Sequence, residues 1–407
     1  MSPRAGTTGP QTLAFVESPV QLLNVLEWAH VHAHAPSPEG AGGPASAVSA
    51  RRKGKLPGQT PRRWRRGRSR PTADREPSGG GLILVVLSPV DPMTRSQLRR
   101  MAELAREEGH EVRWEDARAG TSAPFRTIGG LAPLLRRTQR IVMGDPFSRY
   151  VQVLLNITNA RDLVVVDDGT ATMEFVSQLA RGERLVRWHR KSRRPGARDM
   201  LFLPVSSKAR RRLTPGGKRR VEIFSSMPIE DTPKGVEVTA NDFAWTRSRF
   251  GPPHIAEGAD MVGTSLVETG VVDADRYREA VRTLARTHGV TRYFAHRRES
   301  PEKLHDLAAC TGLEVVRPDL PLELIARRGP IGRTILSFPS TVVHTLPLAL
   351  AGTDVKVAVC DIDPAWLTAN ASPRAQGFLS GVTGSARDVE RVSTEPGRPT
   401  KEAKATG

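Results

Sequence analysis

Cysteine is nearly absent: Cys310 and Cys360 are the only two in 407 residues, and no metal-ligand spacing surrounds them. That excludes a disulfide scaffold and a zinc site and fits a reducing compartment. Apolar runs are short, such as LILVVL at 82–87, so no segment approaches the length of a bilayer crossing. The opening residues, MSPRAGTTGPQ, lack a basic stretch followed by an apolar one; no secretory signal is expected, and a cytoplasmic location is. A Walker loop, a GxGxxG fingerprint, an HExxH pair and a GxSxG elbow are all missing at suitable places. Acidic residues are too few to balance the basic ones, and the net charge of +18 suggests an anionic partner. The excess is uneven, with eleven Lys/Arg against three Asp/Glu in 36–80.

What the chain does have is alternation. TLAFV at 12–16 predicts a strand, and Glu17-Ser18-Pro19 opens a helix to about His30. From 36 to 80 the pattern dissolves into Pro, Gly, Ala, Ser and Arg. That composition cannot bury enough apolar surface to offset ordering entropy, which predicts a disordered basic insertion inside the first domain. LILVVLSP at 82–89 then pairs beside the first strand, followed by helix 94–108, strand 110–114, helix 129–137, strand 139–143 and strand 163–166. Residues 184–220 are again basic and predict a solvated excursion or an acceptor-facing loop, and an irregular crossing runs to Pro253. The second half restarts the alternation, with strands in 261–268, 291–296, 313–316, 333–338 and 355–362. The expected fold class is α/β, two facing Rossmann-like doubly wound domains with a cleft between them. Their predicted limits are 1–245 and 246–381, with a polar tail over 382–407.

The chain is organised around LVVVDDGTATMEF at 163–175. Its apolar, β-branched run reads as an interior strand of a parallel sheet, and ligands bind outside the carboxyl ends of such strands. Asp167, Asp168 and Gly169 sit at that end. One reading makes Asp168 and Thr170 a helix cap with Gly169 as the turn; the other makes an aspartate the base of a site. Three strand ends in the second half carry polar groups: Gly263-Thr264-Ser265, His296-Arg297-Arg298-Glu299, and Ser337 with Ser340-Thr341. Small hydroxyl residues opening a helix, with free N–H groups and a favourable dipole, form an anion site. His296 near a phosphate is expected to carry positive charge at neutral pH, while Glu299 complements the dipole of the next helix. Mononucleotide binding across two facing domains, without the usual signatures, is a glycosyltransferase pattern. Asp167 or Asp168 would take a proton from an acceptor hydroxyl while the second domain holds the nucleotide.

VESPVQLLN at 16–24, VDDGT at 166–170, GTSLVETGVVDADRY at 263–277, YFAHRRESPEKL at 293–304, RPDLPLELI at 317–325 and SFPSTVVHTLPL at 337–348 resemble the bacterial polysialyltransferase and lipooligosaccharide sialyltransferase group. The resemblance implies a GT-B fold and inverting, metal-independent transfer of sialic acid from CMP-sialic acid to a glycan hydroxyl, without a cofactor. It carries the acidic-acidic-Gly motif onto Asp167, Asp168 and Gly169, with Asp167 the preferred base. The His-Pro motif falls on His296, with Arg297 where proline is usual, and the Ser-Ser/Thr motif on Ser340 and Thr341 as phosphate ligands. Gly263, Thr264, Ser265 and Ser337 are weaker candidates for contact with the nucleotide. Alternatives are a same-fold enzyme using another nucleotide sugar, an inactive capsule-assembly partner, and a nucleic-acid or anionic-surface binder built on RRWRRGRSR at 62–70. Nucleic acid is the less expected partner. The basic stretch 184–220 suits an anionic glycan, or anionic lipid headgroups at the inner membrane face.

Overall fold

A computed structural model describes residues 11–34, 81–120, 122–187, 197–229, 231–369, 371 and 373–394. The insertion predicted over 36–80 lies outside the described residues. The strands that flank it pair directly: β1 (Thr12–Val16) lies parallel to β2 (Leu82–Leu87), with Thr12 opposite Leu82. Five more strands complete the first sheet: β3 (Glu111–Glu115), β4 (Arg140–Met143), β5 (Asp162–Val166), β6 (Arg220–Ser225) and β7 (Val236–Ala240). All pairs are parallel, in the order β3-β2-β1-β4-β5-β6-β7. Side chains alternate between the two faces of a strand. Leu13 and Phe15 therefore enter one core cluster with Leu163 and Val165, while Ala14 and Val16 enter another with Val164 and Val166.

The second sheet holds β8 (Ile255–Val262), β9 (Val290–Phe294), β10 (Glu314–Val316), β11 (Ile331–Ser337), β12 (Lys356–Cys360) and β13 (Val389–Val392). Their order is β10-β9-β8-β11-β12-β13, again parallel throughout. The protein thus has the two doubly wound α/β domains that the alternation predicts. In the first domain the connecting helices are α1 (Pro19–His34), α2 (Pro92–Glu107), α3 (Ala123–Arg137), α4 (Arg149–Ile157), α5 (Thr170–Ala180) and α6 (Ala197–Arg212). A short α7 (Ala244–Arg249) bridges the sheets. The second domain adds α8 (Ala274–His288), α9 (Pro301–Thr311), α10 (Leu322–Arg328), α11 (Val342–Ala349) and α12 (Pro373–Ser385). Among the described residues, no helix is long and apolar enough to cross a membrane.

The structure departs from the sequence expectations in three places. The irregular crossing to Pro253 contains β7 and α7, and the expected boundary at 245 falls inside α7. The basic excursion over 184–220 contains α6, which packs on α4 with Ala209 buried. Of the polar tail predicted over 382–407, the described residues hold instead the end of α12 and the edge strand β13, whose Val389 lies opposite Val357, and 395–407 lie outside the described residues. Edge strands are short and carry charge, so VERV gave no apolar run to detect.

Helix α7 is capped from a distance. Phe243 precedes it in the left-handed region at φ 58 and contributes no side-chain cap. Buried Glu27 of α1 takes its place, accepting the Trp245 N–H at 2.8 Å, the Thr246 N–H at 3.0 Å and the Thr246 hydroxyl at 2.5 Å. Burial pushes the Glu27 carboxyl up to about 7. On the other side of α7, Arg247 donates to the Leu348 carbonyl at 3.0 Å, and Leu320, Leu324 and Ala349 join the first domain's apolar cluster beside Phe243 and Trp245.

Candidate active site

In each sheet the strand order reverses beside its first strand, at β1/β4 and at β8/β11. Crevices form at the carboxyl ends of such switch points. The two carboxyl edges oppose each other. A Cβ placed on Gly169 would lie 3.0 Å from Thr341 Cγ2, and Arg297 of the second domain acts electrostatically on Asp168 and Asp91 of the first.

Asp167 and Asp168 are neighbours with different surroundings. Asp167 is 2% exposed, and its oxygens serve the chain itself. Oδ1 accepts the Gly169 N–H at 2.9 Å, while Oδ2 accepts the Ser226 N–H at 3.2 Å and the Ser226 hydroxyl at 2.9 Å. Its carbonyl accepts Asn24 Nδ2 at 2.8 Å. Helix α5 begins after Gly169 at φ +65 without a side-chain cap, and Thr172 Oγ1 takes the Asp168 N–H at 2.8 Å. The turn is therefore made by Asp167, and Asp168 is released from the capping role that the sequence offered it. Asp167→Asn should turn an amide N–H₂ toward the Ser226 donors or break the Gly169 turn. A loss of about 1–3 kcal/mol in denaturant unfolding is expected from an unsatisfied buried group.

Asp168 keeps a fifth of its side chain exposed. Burial and the like charge of Asp145 lift its carboxyl to about 7, against the opposing pull of Arg187, Gln21 and Arg297. Arg187 bridges the two acids, 2.7 Å from Asp145 Oδ2 and 3.7 Å from Asp168 Oδ2. Beside them Glu17 accepts Arg118 at 2.8 Å and the Ser148 hydroxyl at 2.8 Å. Sequence reading missed Asp145, Arg187 and Gln21. Asp145 had a usable signal, since Gly144-Asp145 closes β4 just as Asp167-Asp168 closes β5.

Across the cleft, His296 follows β9 and is half-buried. Its Nδ1 accepts the Arg298 N–H at 3.2 Å, so the neutral ring carries its proton on Nε2. Burial and the charges of Arg297, Arg298 and Lys303 push its pKa down to about 4. The expected cation at neutral pH is thus a neutral donor in the free protein, and positive charge at this edge comes from Arg297 and Arg298.

Glu299 does more than complement a helix dipole. It is buried and accepts the Tyr293 hydroxyl at 2.6 Å, the His296 N–H at 2.6 Å and the Lys303 ammonium at 2.8 Å. Tyr293 gives its hydrogen to Glu299, so Tyr277, 2.7 Å away, donates to Tyr293. Burial raises all three acids, Glu299, Tyr293 and Tyr277. The network leaves no room at Gly263: a Cβ there would lie 2.2 Å from Glu299 Oε2. Thr264 is buried, with its carbonyl 3.3 Å from Lys303 Nζ, while Ser265 is half-buried beside it. Ser337 Oγ donates to the Phe338 carbonyl at 2.7 Å and lies 3.3 Å from Ser340 Oγ. Ser340 and Thr341 are half-buried at the start of α11, where the Thr341 side chain makes no cap hydrogen bond. The structure therefore brings Asp168, His296, Arg297, Ser340 and Thr341 to one pair of opposed edges, while Asp167 is turned into its own domain.

No family model and no curated protein matches the chain in sequence. Among solved structures, it is similar to an α/β-galactoside α-2,3-sialyltransferase from the luminous marine bacterium Photobacterium phosphoreum, at 7% identity and TM-score 0.47, covering 95% of this chain and 99% of that one. A sialyltransferase from Photobacterium damsela aligns at 10% identity and TM-score 0.41, covering 94% and 81% respectively. The E. coli heptosyltransferase WaaC aligns at 13% identity and TM-score 0.38, covering 87% and 90%. With all three scores below 0.5, the fold assignment rests on the two sheets themselves.

Proposed function

We propose that the protein is a glycosyltransferase that moves sialic acid from CMP-sialic acid to a glycan hydroxyl with inversion, and that Asp168 is its base. One observation carries the reading. A carboxyl group held near 7 opposes an edge of arginines, hydroxyls and a helix start that suits a phosphate. The sequence motifs supply the donor, through their resemblance to sialyltransferases.

In the proposed step the acceptor oxygen attacks the anomeric carbon and loses its proton to Asp168. The bond from that carbon to the phosphate oxygen breaks, and CMP leaves with the electron pair. His296 Nε2–H, Arg297, Ser340 and Thr341 stabilise the charge growing on the departing phosphate, and Gly263, Thr264, Ser265 and Ser337 border the nucleotide. A base near 7 suits this role, since it is ionised at working pH yet retains proton affinity.

CMP release from CMP-sialic acid, with and without candidate acceptors, tests the reaction. Thermal stabilisation by CMP is the expected donor signature; stabilisation by UDP and not CMP would replace the donor with another nucleotide sugar. His296→Ala should lower turnover by about 10²-fold, the scale of one lost donor to a developing anion, with a smaller change in acceptor KM. Unchanged turnover would remove His296 from the mechanism.

A further inference from the structure

We propose that Arg187, anchored by Asp145, is the positioning residue for Asp168: it holds a positive charge beside that carboxylate and so sets how readily it takes the acceptor proton. The inference rests on the reading of Asp168 as the base.

The placement of Arg187 is built from α5, the helix that starts beside Asp168. Fully buried Gln178 on α5 clamps the returning chain, donating to the Val186 carbonyl at 2.8 Å and accepting the Val186 N–H at 3.1 Å. The next side chain, Arg187, is thereby aimed at the edge. There Asp145 holds it at 2.7 Å, with Asp145 Oδ1 itself fixed by the Phe147 N–H at 2.9 Å and the guanidinium 5.8 Å above the Phe147 ring. A purely structural arginine would be satisfied by Asp145. This one also stands 3.7 Å from Asp168 Oδ2, close enough for strong attraction and too far for a hydrogen bond. The guanidinium thus favours the ionised form of Asp168 without taking up one of its hydrogen-bonding positions, and the side-chain hydrogen bond that Asp168 receives comes from Gln21.

The other groups facing Asp168 are few and named. Asp145 opposes its ionisation, while Gln21 of α1 and Arg297 of the second domain support it. Asp91 also draws on Arg297, and Glu174 on Arg187. Glu17 acts alongside Asp145 but is itself paired with Arg118. Removing Arg187 leaves Asp145 and Asp168 repelling each other without a mediator; removing Asp145 takes that repulsion away and leaves Arg187 to Asp168 and Glu174. The two substitutions must therefore move Asp168 in opposite directions.

The test is the pH dependence of kcat/KM for CMP release by the full chain, with CMP-sialic acid as donor and lactose as acceptor probe. Arg187→Gln should move the acid limb up by about one pH unit, making the rate about tenfold lower on that side while the alkaline plateau stays within about twofold. Arg187→Lys should restore most of the limb's position, and Asp145→Asn should move it down. A second measurement needs no acceptor: the stabilisation gained by Asp168→Asn, followed against pH, should begin at the same pH in the Arg187→Gln background but keep growing to higher pH and level off at a larger value. A uniform rate loss at every pH, or a limb and stability cycle both unmoved by Arg187→Gln, overturns the proposal. If Asp168→Asn keeps wild-type transfer, it is the base assignment that falls.

Discussion

Asp168→Asn should lose about 10²- to 10⁴-fold in transfer, the usual worth of a general base, and should be more heat-stable than the native protein above neutral pH. The second result follows from the sign of the pKa change on folding. The folded carboxyl holds its proton to about 7, against an ordinary value of 3.8. Between those values the unfolded chain has released the proton and the folded chain has kept it, so native stability falls as pH rises through the window. Above about 7 the full penalty of a confined anion remains; below about 3.8 it vanishes. A tenfold change in proton affinity is worth about 1.4 kcal/mol, reduced here because a fifth of the side chain meets solvent. The asparagine variant avoids the penalty, so its melting temperature should exceed that of the native protein by more at about pH 8 than at about pH 5. Wild-type transfer by the variant would end the assignment. Asp167→Asn makes the contrast, since it should lose stability where Asp168→Asn gains it.

Gly263→Ala should cost about 3–5 kcal/mol of stability and abolish donor-dependent thermal protection, the scale of breaking a buried charge network. The added methyl would sit 2.2 Å from Glu299 Oε2 and 2.6 Å from Tyr293 Oη. Neither atom is a loose side-chain end, because each is held by the hydrogen bonds running from Tyr277 to Lys303. The displaced carboxylate would release the His296 N–H it accepts, and the turn carrying His296 and Arg297 would lose its anchor. Gly129→Ala is the control: it lies within α3 with nothing inside 4 Å of a new Cβ, where alanine should stabilise by up to about 1 kcal/mol. Equal melting temperatures for the two variants would refute the steric account.

The alternation of the two sheets was readable because interior parallel strands are apolar on both faces, as LVVV of β5 is. The edges β7 and β13 were not, since VEVTA and VERV bury few side chains. Strand ends pointed to Asp168, His296 and Ser340, because topology fixes which ends meet. The choice between Asp167 and Asp168 was not readable. Both are aspartates at one strand end, and only the positions of Ser226, Gly169 and Arg187 separate them. Preference for Asp167 as the base rests on the motif alone; Asp168, open to the cleft, is the aspartate we assign. The charge of His296 was hidden for a similar reason, because it depends on burial and on three neighbouring cations. Asp145 lies at the carboxyl end of β4, so the strand-end rule that reaches Asp168 reaches it too; Arg187 has no such mark, because a turn after α5 carries it there.

The near-contact of Gly169 with Thr341 has a kinetic consequence. On the proposed reading, with Asp168 as the base and Ser340 and Thr341 on the phosphate, substrates reach their place only when these facing edges part. Every turnover then includes a separation against solvent drag. Added sucrose or glycerol should therefore slow steady-state cycling more than it slows the single chemical event in a preloaded complex.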